Sequence, residues 1–315
     1  MMQGWLGSRW MQLLVMAILI VVPGLLLSSS YYFRIGALVW ISAIAVIGLN
    51  LLLGYAGQVS LGHAGFFGIG AYAVAVLPEH YGFDTLLSLL AGAIVSGLLA
   101  FLIGRPILRL RGHFLAVATL GLGILVWIVL ANEIAWTGGP DGMPVKRLEL
   151  FGQRIRSPET WYWISGATLL LAVVLAQNLM ASPTGRALRA LHDSEMAARV
   201  IGIDAARYKL VVFTISAVYA AVAGSYFALF NGYVTPQAAD FLHSVELVTM
   251  VVIGGMGSIL GSVLGAAVLV VLPQALTVFK EYEHLMLGLF IIVMMIFLRE
   301  GVVPSLARLF QSRSR

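Results

Sequence analysis

The sequence of 315 residues has few charged side chains: Asp, Glu, Lys and Arg together make up 10% of it, and the mean hydropathy is +0.97. Soluble domains carry roughly 25% charged residues. Fourteen acids and nineteen bases cannot coat the surface of a 33.9 kDa globule with charge. The shortage therefore excludes an ordinary soluble enzyme and a disordered chain, and it favours an integral membrane protein.

Two further absences limit the chemistry. Cysteine is missing, which excludes disulfides, thiolate nucleophiles and cysteine-ligated metals. The lysines stand at positions 146, 209 and 280, and none is in the GK[ST] context of a phosphate-binding P-loop. The six histidines show no HExxH or comparable ligand spacing. We therefore predict no metal site, no catalytic residue and no cofactor in this chain, so that any ATP and Mg²⁺ are bound by partner subunits.

Long apolar runs dominate what is present. Since roughly 20 apolar residues cross a bilayer core, ten segments qualify: 10–27, 34–53, 59–77, 84–104, 113–131, 160–180, 209–230, 241–257, 259–277 and 284–299. Glycines interrupt the third and eighth segments, which are candidates for broken or re-entrant helices. We predict an all-α integral membrane protein, a polytopic helical bundle of about 8–10 transmembrane helices, in which residues 1–315 form a single transmembrane domain.

The distribution of basic residues predicts the orientation. Excess Lys and Arg mark cytoplasmic loops. A cytoplasmic N-terminus places 13 of the 19 basic residues inside, whereas the opposite topology places 6 there. The N- and C-termini and the loop 181–208 are therefore expected in the cytoplasm, and the loop 131–159 outside. The net charge of +5 has the same origin, so no nucleic-acid partner is expected.

Two segments are rich in glycine. Residues 48–70 contain seven glycines and residues 254–265 contain five, out of 34 in the chain. Small residues allow close helix packing. Interrupted segments in two halves of a chain also point to a transport pathway at the interface of an internal repeat. An internal repeat is therefore a hypothesis of the sequence.

Several polar residues lie where a membrane span makes them costly. An ionisable group in a span costs about 2.5–3.5 kcal/mol on insertion scales. Polar residues in such positions either line an aqueous pathway or form interhelical hydrogen bonds that lock the bundle. An intramembrane enzyme is disfavoured, because VSLGH lacks the GxSxG elbow of a serine nucleophile. The candidate pathway residues are Asn50, Gln58, Ser60, His63, Glu246, Gly254, Gly255 and Gly257.

The loop 181–208 contains a predicted short helix. Asp193 is a candidate N-cap, and Glu195 in the first turn complements the helix dipole. Gly202 suits the position after the helix, and Asp204 suits the N-cap of the next helix. So short a helix needs a surface to dock against, which is either the ends of this chain's own helices or another subunit.

The same loop carries a resemblance. Its stretch SEMAARVIGID resembles the EAA-type coupling motif of ABC-importer permeases, although that motif more often reads Glu-x-Ala-Ala with another acid nearby. The wider sequence resembles the LivM-type permease subunit of branched-chain amino-acid importers. The matching pieces, in order over residues 48–272, are GLNLLLGYAGQVSLGHAGFFGIGAYA, LRLRGHFLAVATLGLG, TGGPDGM, SPTGRALRAL and VTMVVIGGMGSILGSVLGAAVL.

This resemblance implies a multi-pass permease domain of the bacterial inner membrane and four kinds of partner. The cytoplasmic coupling loop 181–208 would meet the ATP-binding subunits through Asp193, Glu195, Ala198 and Gly202. The glycine-rich segments would line the pathway with a second, LivH-type permease, in contact with membrane lipid. The periplasmic loop 131–159 would face a substrate-binding protein through Thr137, Gly138, Gly139, Asp141 and Gly142.

The implied function is the transport of leucine, isoleucine and valine by alternating access, driven by two separate ATPase subunits. Urea or short amides are an alternative cargo. A self-sufficient secondary transporter or channel is an alternative of another class. A proton or sodium relay needs ionisable groups in several spans, and Glu246 is the one strong candidate in this sequence.

Overall fold

The computed structural model describes residues 9–26, 29–110, 112–150 and 153–276, together with Gly288 and Ile292. The predicted segment 284–299 otherwise lies outside the described residues. Helices form nearly all of the described chain. They are α1 (Arg9–Leu26), α2 (Ser30–Ala56), α3 (His63–Tyr81), α4 (Thr85–Ile107), α5 (His113–Asn132), α6 (Ile134–Thr137), α7 (Pro158–Ala181), α8 (Pro183–Asp193), α9 (Glu195–Val200), α10 (Ala205–Asn231), α11 (Phe241–Gly254) and α12 (Ile259–Leu276).

The remaining elements are short and lie between helices. Strand β1 (Met143–Pro144) pairs antiparallel with β4 (Tyr233–Val234), and β2 (Glu149–Leu150) pairs with β3 (Gln153–Arg154). Two 3-10 turns occupy Gly139–Asp141 and Pro236–Ala239. The predicted all-α class is confirmed, because these strands are two residues long each.

Six of the described helices, α1, α2, α4, α5, α7 and α10, are long and apolar enough to cross a membrane. The shorter helix α11 has 14 residues, which at 1.5 Å per residue is about 21 Å, less than the roughly 30 Å of a bilayer core. The predicted interruption of the third and eighth segments is wrong in its position: α3 and α11 are continuous helices, and the breaks lie at their ends. The first separates α2 from α3 at residues 57–62, and the second separates α11 from α12 at residues 255–258.

Helix α2 is the centre of the bundle, because 78% of the residues in its most apolar stretch of 18 are buried. It packs against α7, α10 and α12, while α3 and α4 pack against α10. The backbones of α3 and α10 approach closely where glycine permits it. A methyl group added at Gly70 would overlap the carbonyl of Ala221, and one at Gly224 would overlap the carbonyl of Phe67. Small residues thus join the helices on either side of the first break.

The loops 131–159 and 181–208 lie at opposite ends of the bundle, since the 24-residue helix α7 connects them. At one end, β1 pairs with β4 and the Lys146 ammonium donates to the Pro78 carbonyl at 2.7 Å. At the other end, α2 stops at Gly57, whose φ of 64° places it in the left-handed region that favours glycine. There Gly57 lies against the ring of His192. The second end therefore brings the first break next to the loop 181–208.

Candidate functional site

The loop 181–208 folds as two short helices and a turn, with one change from the predicted caps. Asp193 is the last residue of α8, and Ser194 is the N-cap of α9, because Ser194 has the extended backbone that a cap requires and its Oγ accepts from Ala197 N at 3.3 Å. Gly202 has φ 86° and donates to Arg199 O at 3.0 Å, as expected after a helix. The predicted cap Asp204 is confirmed, since its Oδ1 accepts from Arg207 N at 3.2 Å.

Glu195 holds α9 against the start of α10. Its carboxylate accepts from Lys209 Nζ and from Arg199 Nη2, each at 2.6 Å. The Lys209 side chain is 5% exposed and that of Arg199 is 50% exposed. Partial burial opposes ionisation, but the bonds from Lys209 and then Arg199 outweigh it, so the pKa of Glu195 lies below its ordinary value. Glu195 therefore acts within the chain, tying the short helix to the long one.

The two faces of α9 have different roles. Ala198 is 1% exposed and packs with Leu191 and Ala205, so the prediction that Ala198 contacts an ATPase is corrected: its side chain is enclosed by this chain. The opposite face leaves three large apolar side chains in the open. We call this the α9 apolar face: Met196, Val200 and Ile201, which are 77%, 87% and 72% exposed.

A cavity of about 300 Å³ separates this loop from the first break. Gln58 lines it and is 9% exposed, with its Nε2 donating to Ala56 O at 3.1 Å. Lys209 and the turn at 193–195 form the facing wall. The end of α2 and the turn before α9 therefore face each other across this cavity.

Asn50 joins the two glycine-rich segments. Its Nδ2 donates to Ser258 O at 2.9 Å and to Ser262 Oγ at 2.7 Å, and its Oδ1 accepts from Gly257 N at 2.9 Å. The side chain is 1% exposed, so every polar atom that it brings into the bundle has a partner. Gly254 packs directly on Gly261 in the same region. Asn50 thus binds the Gly257 amide in the break between α11 and α12 and ties α2 to the start of α12.

Ser60 and His63 form a buried chain of hydrogen bonds with α10. His63 Nδ1 lies 2.8 Å from Ser60 Oγ, and its Nε2 lies 2.6 Å from Ser216 Oγ. All three residues are at most 1% exposed. This geometry favours the bundle-locking interpretation of these polar groups over the pathway-lining one. A role in the pathway stays a prediction for them, for Gln58 and for the glycines at 254, 255 and 257.

Glu246, which the sequence places inside an apolar segment, is not buried in this chain. Its side chain is 61% exposed. The inward positions of α11 include Ser244, Leu247 and Val251, and this helical spacing places Glu246 on the outer face. One carboxylate oxygen lies 3.2 Å from Nδ1 of His243. A carboxylate on the outer face of an apolar helix is too costly against lipid, so the face requires a polar or protein environment.

The residues predicted to meet a binding protein form a tight turn in the loop 131–159. Thr137 is 6% exposed, and its Oγ1 donates to Leu130 O at 2.8 Å and accepts from Gly139 N at 3.2 Å. Thr137 and Gly139 are buried, which corrects their assignment to a contact surface; they shape the turn instead. Asp141 is exposed, and its carbonyl accepts from the Tyr233 hydroxyl at 2.7 Å. Of the five predicted residues, Asp141 is the most accessible, and Gly138 and Gly142 are half-buried.

Sequence reasoning missed Lys209 and the outward direction of the α9 apolar face. Lys209 is the last charged residue before the long apolar run of α10, which was the available signal for a buried partner. The sequence gives no such signal for which face of α9 points outward, because apolar residues occur on both of its faces.

The comparisons with known proteins agree with the resemblance. Residues 31–298 match the family model described as "Branched-chain amino acid transport system / permease component". The chain is 36% identical to the high-affinity branched-chain amino acid transport system permease protein LivM of Escherichia coli (strain K12), over 86% of this chain and 69% of that protein. It is 25% identical to LivH of the same strain, over 83% of this chain and 90% of that protein. It is also 25% identical to the fructose import permease protein FrcC of Rhizobium meliloti, over 89% and 82%.

No solved structure matches the chain significantly. The family model covers well over half of the sequence, and it includes both glycine breaks and the loop 181–208. The multi-pass helical bundle agrees with a membrane transport protein. This chain therefore belongs to the family of permease components of branched-chain amino acid transport systems.

Proposed function

We propose that this chain is the permease subunit of an ATP-driven importer of leucine, isoleucine and valine in the bacterial inner membrane. This proposal rests mainly on the α9 apolar face, which the ion pair between Glu195 and Lys209 holds outward. The loop 181–208 lies in the cytoplasm in this proposal, and the loop 131–159 faces a periplasmic substrate-binding protein. A LivH-type permease completes the pathway, as the similarity to LivH supports.

The α9 apolar face fits an ATPase cleft because of its energetics. Full burial of a large apolar side chain stabilises by about 1.5–3 kcal/mol, and three such side chains stand together on one short helix. Ser194 and Glu195 fix the helix from within the chain, so docking does not have to order it. Two ATPase subunits would bind ATP and Mg²⁺ and move this helix.

A series of contacts from α9 to the breaks supports this proposal. The Glu195–Lys209 pair links α9 to α10. Helix α10 contacts the first break through Ser216 and His63, and Asn50 of α2 holds the second break. Rocking of α10 and α2 against the second permease would open the pathway to alternate sides. Alternating access between rigid halves is a common mechanism of transporters built around broken helices.

Val200→Asp tests the docking claim, with Val200→Leu as the matched apolar control. The importer is reconstituted in proteoliposomes with its ATPase subunits and leucine-loaded binding protein. We expect Val200→Asp to lower binding-protein-stimulated ATP hydrolysis about tenfold or more, since about 1.4 kcal/mol of lost docking is tenfold. Val200→Leu is expected to keep it. Equal rates in both variants would contradict docking through this face.

The same vesicles separate the alternatives. Leucine uptake that persists without any ATPase subunit would identify a secondary transporter or channel. Uptake of urea in place of leucine would identify urea as the transported substrate.

Cysteine labelling tests the orientation, because the chain has no native cysteine. Met196→Cys should react with an impermeant maleimide from the cytoplasmic side, and Asp141→Cys from the periplasmic side. Both side chains are exposed in this chain. The labelling is done on the permease expressed without ATPase and binding-protein subunits, so that docking covers neither site and a failure to label reflects sidedness. The reverse pattern would invert the proposed topology.

A further inference from the structure

A second cavity of about 300 Å³ opens at the end of the bundle that carries the loop 131–159. We propose that it binds one small zwitterionic amino acid with an aliphatic side chain, as a cargo site within this subunit. The inference rests on the proposed function. The cavity volume lies at the lower end of the range for small-molecule sites. Its lining includes Phe67, Phe227, Asn231, Gln237, Ala238 and His243.

His243 supplies an acceptor for an ammonium group. A carboxylate can only accept, so Nδ1 of His243 donates to Glu246 across 3.2 Å. In the tautomer that carries its proton on Nδ1, Nε2 is an acceptor, and it is buried with no hydrogen-bond partner among the described residues. A buried polar atom without a partner costs free energy until a donor reaches it. The carboxylate behind the ring makes a cationic donor the best match.

Aromatic rings supply the apolar wall. The ring of Phe67 lies 4.8 Å from that of His243 and 5.5 Å from that of Phe227, measured between centroids. These contacts fix the imidazole edge-on against Phe67. An aliphatic side chain on the cargo would gain contact area there, whereas a charged side chain would meet no partner on this wall.

Asn231 supplies donors at another part of the cavity. Its Oδ1 accepts from Arg34 Nη2 at 3.4 Å, which directs the amide oxygen to the guanidinium and leaves the NH₂ group to donate. The guanidinium also lies over the ring of Phe230 at 5.7 Å. The lining therefore combines an acceptor backed by a carboxylate with a donor backed by a guanidinium. An α-amino acid carries the complementary ammonium and carboxylate, and urea carries neither charge.

The first test maps the site in the unmodified importer. A diazirine analogue of leucine is photolysed in proteoliposomes holding the complete importer, and cross-linked peptides are identified by mass spectrometry. We expect cross-links at Phe67 or at residues 227–243 that excess leucine suppresses and urea does not. Leucine-sensitive cross-links that fall only elsewhere in the chain would overturn the assignment.

The second test uses paired variants, with assembly checked by co-purification of all subunits. Ala238→Leu fills the cavity, and Ala167→Leu adds the same volume at an exposed position of α7 that does not line the cavity. His243→Gln is paired with His80→Gln, an exposed histidine at the cavity end of the bundle. We expect Ala238→Leu and His243→Gln to raise the KM for leucine about tenfold or more, and the two controls to leave it unchanged.

The outcomes separate this inference from the proposed function. If the unmodified importer takes up no leucine, the proposed function fails and this site falls with it. If the unmodified importer transports leucine and both cavity variants keep its KM, the cavity assignment alone is refuted. Should a cavity variant fail to assemble, the cross-linking map of the unmodified importer decides the question.

Discussion

Glu195→Ala is expected to release α9 from α10, because it strands the ammonium of Lys209. That ammonium lies 2.6 Å from the carboxylate, and the Lys209 side chain is 5% exposed. Removing one partner of a buried ion pair costs 3–5 kcal/mol, typically. Since the Glu195 side chain is 24% exposed, the lower value of about 3 kcal/mol applies. This corresponds to roughly a hundredfold increase in the population with α9 detached.

Hydrogen exchange of the amides at 195–202, followed by mass spectrometry, measures this population. Arg199→Ala is the matched control, because Arg199 binds the same carboxylate from an exposed position. An exposed pair of this spacing contributes about 0.3–0.5 kcal/mol, so the control should raise exchange about twofold at most. An equal effect of the two variants would refute the argument from burial.

The double variant Glu195→Ala/Lys209→Met sharpens the test. Replacing a buried ion pair by apolar groups is often neutral, since no buried charge remains unpaired. The double variant should therefore exchange more slowly than Glu195→Ala alone. If the double variant exchanges as fast as Glu195→Ala or faster, Lys209 is not left as an unpaired buried charge by the single change.

The remaining predictions concern pH and the two kinds of helix contact. The lowered pKa of Glu195 means that its stabilisation of α9 is complete above the ordinary value of 4.5 and is lost as the pH falls through the lower folded-state value. The protection factors of the amides at 195–202, which correct for the intrinsic pH dependence of exchange, should therefore fall on acidification, and less so in Glu195→Ala. Asn50→Leu removes three hydrogen bonds inside the bundle and should lower the free energy of unfolding by about 3 kcal/mol, which is measured as a lower Tm. Asn132→Leu loses one exposed hydrogen bond within its own helix and should leave the Tm nearly unchanged. Gly70→Ala should destabilise the fold severely, because the added methyl group overlaps a backbone carbonyl. Gly121→Ala has open space around it and should stabilise its helix by about 0.5–1 kcal/mol through helix propensity. A comparable Tm for both variants would refute the packing argument.

The existence of the apolar helices was predictable from the sequence: nine of the ten predicted segments are helices among the described residues, and six of these are long and apolar enough to cross a membrane. Apolar run length gives the spans, and the glycines at 57 and 254–257 mark the interruptions. Gly202 and Asp204 were also predictable, because a cap depends on residues within one turn of the chain. Asp193 was placed one residue wrong as a cap because two adjacent residues, Asp193 and Ser194, have the same capping chemistry.

The candidate site depended on contacts that no local pattern encodes. Asn50 and Ser258 are 208 positions apart, and Glu195 meets Lys209 through a turn between helices. The exposure of Glu246 follows from which side of α11 packs on the bundle, and several sides are apolar enough to do so.

The sequence by itself determined that this chain is a membrane helical bundle of the permease family, since composition, apolar run length and motif order are properties of the chain. Only the tertiary structure decided that Ala198 faces inward while Met196 and Val200 face outward. It also decided that His243 and Phe67 share a cavity wall. The physical reason is that side-chain direction on an apolar helix is set by the neighbouring helices.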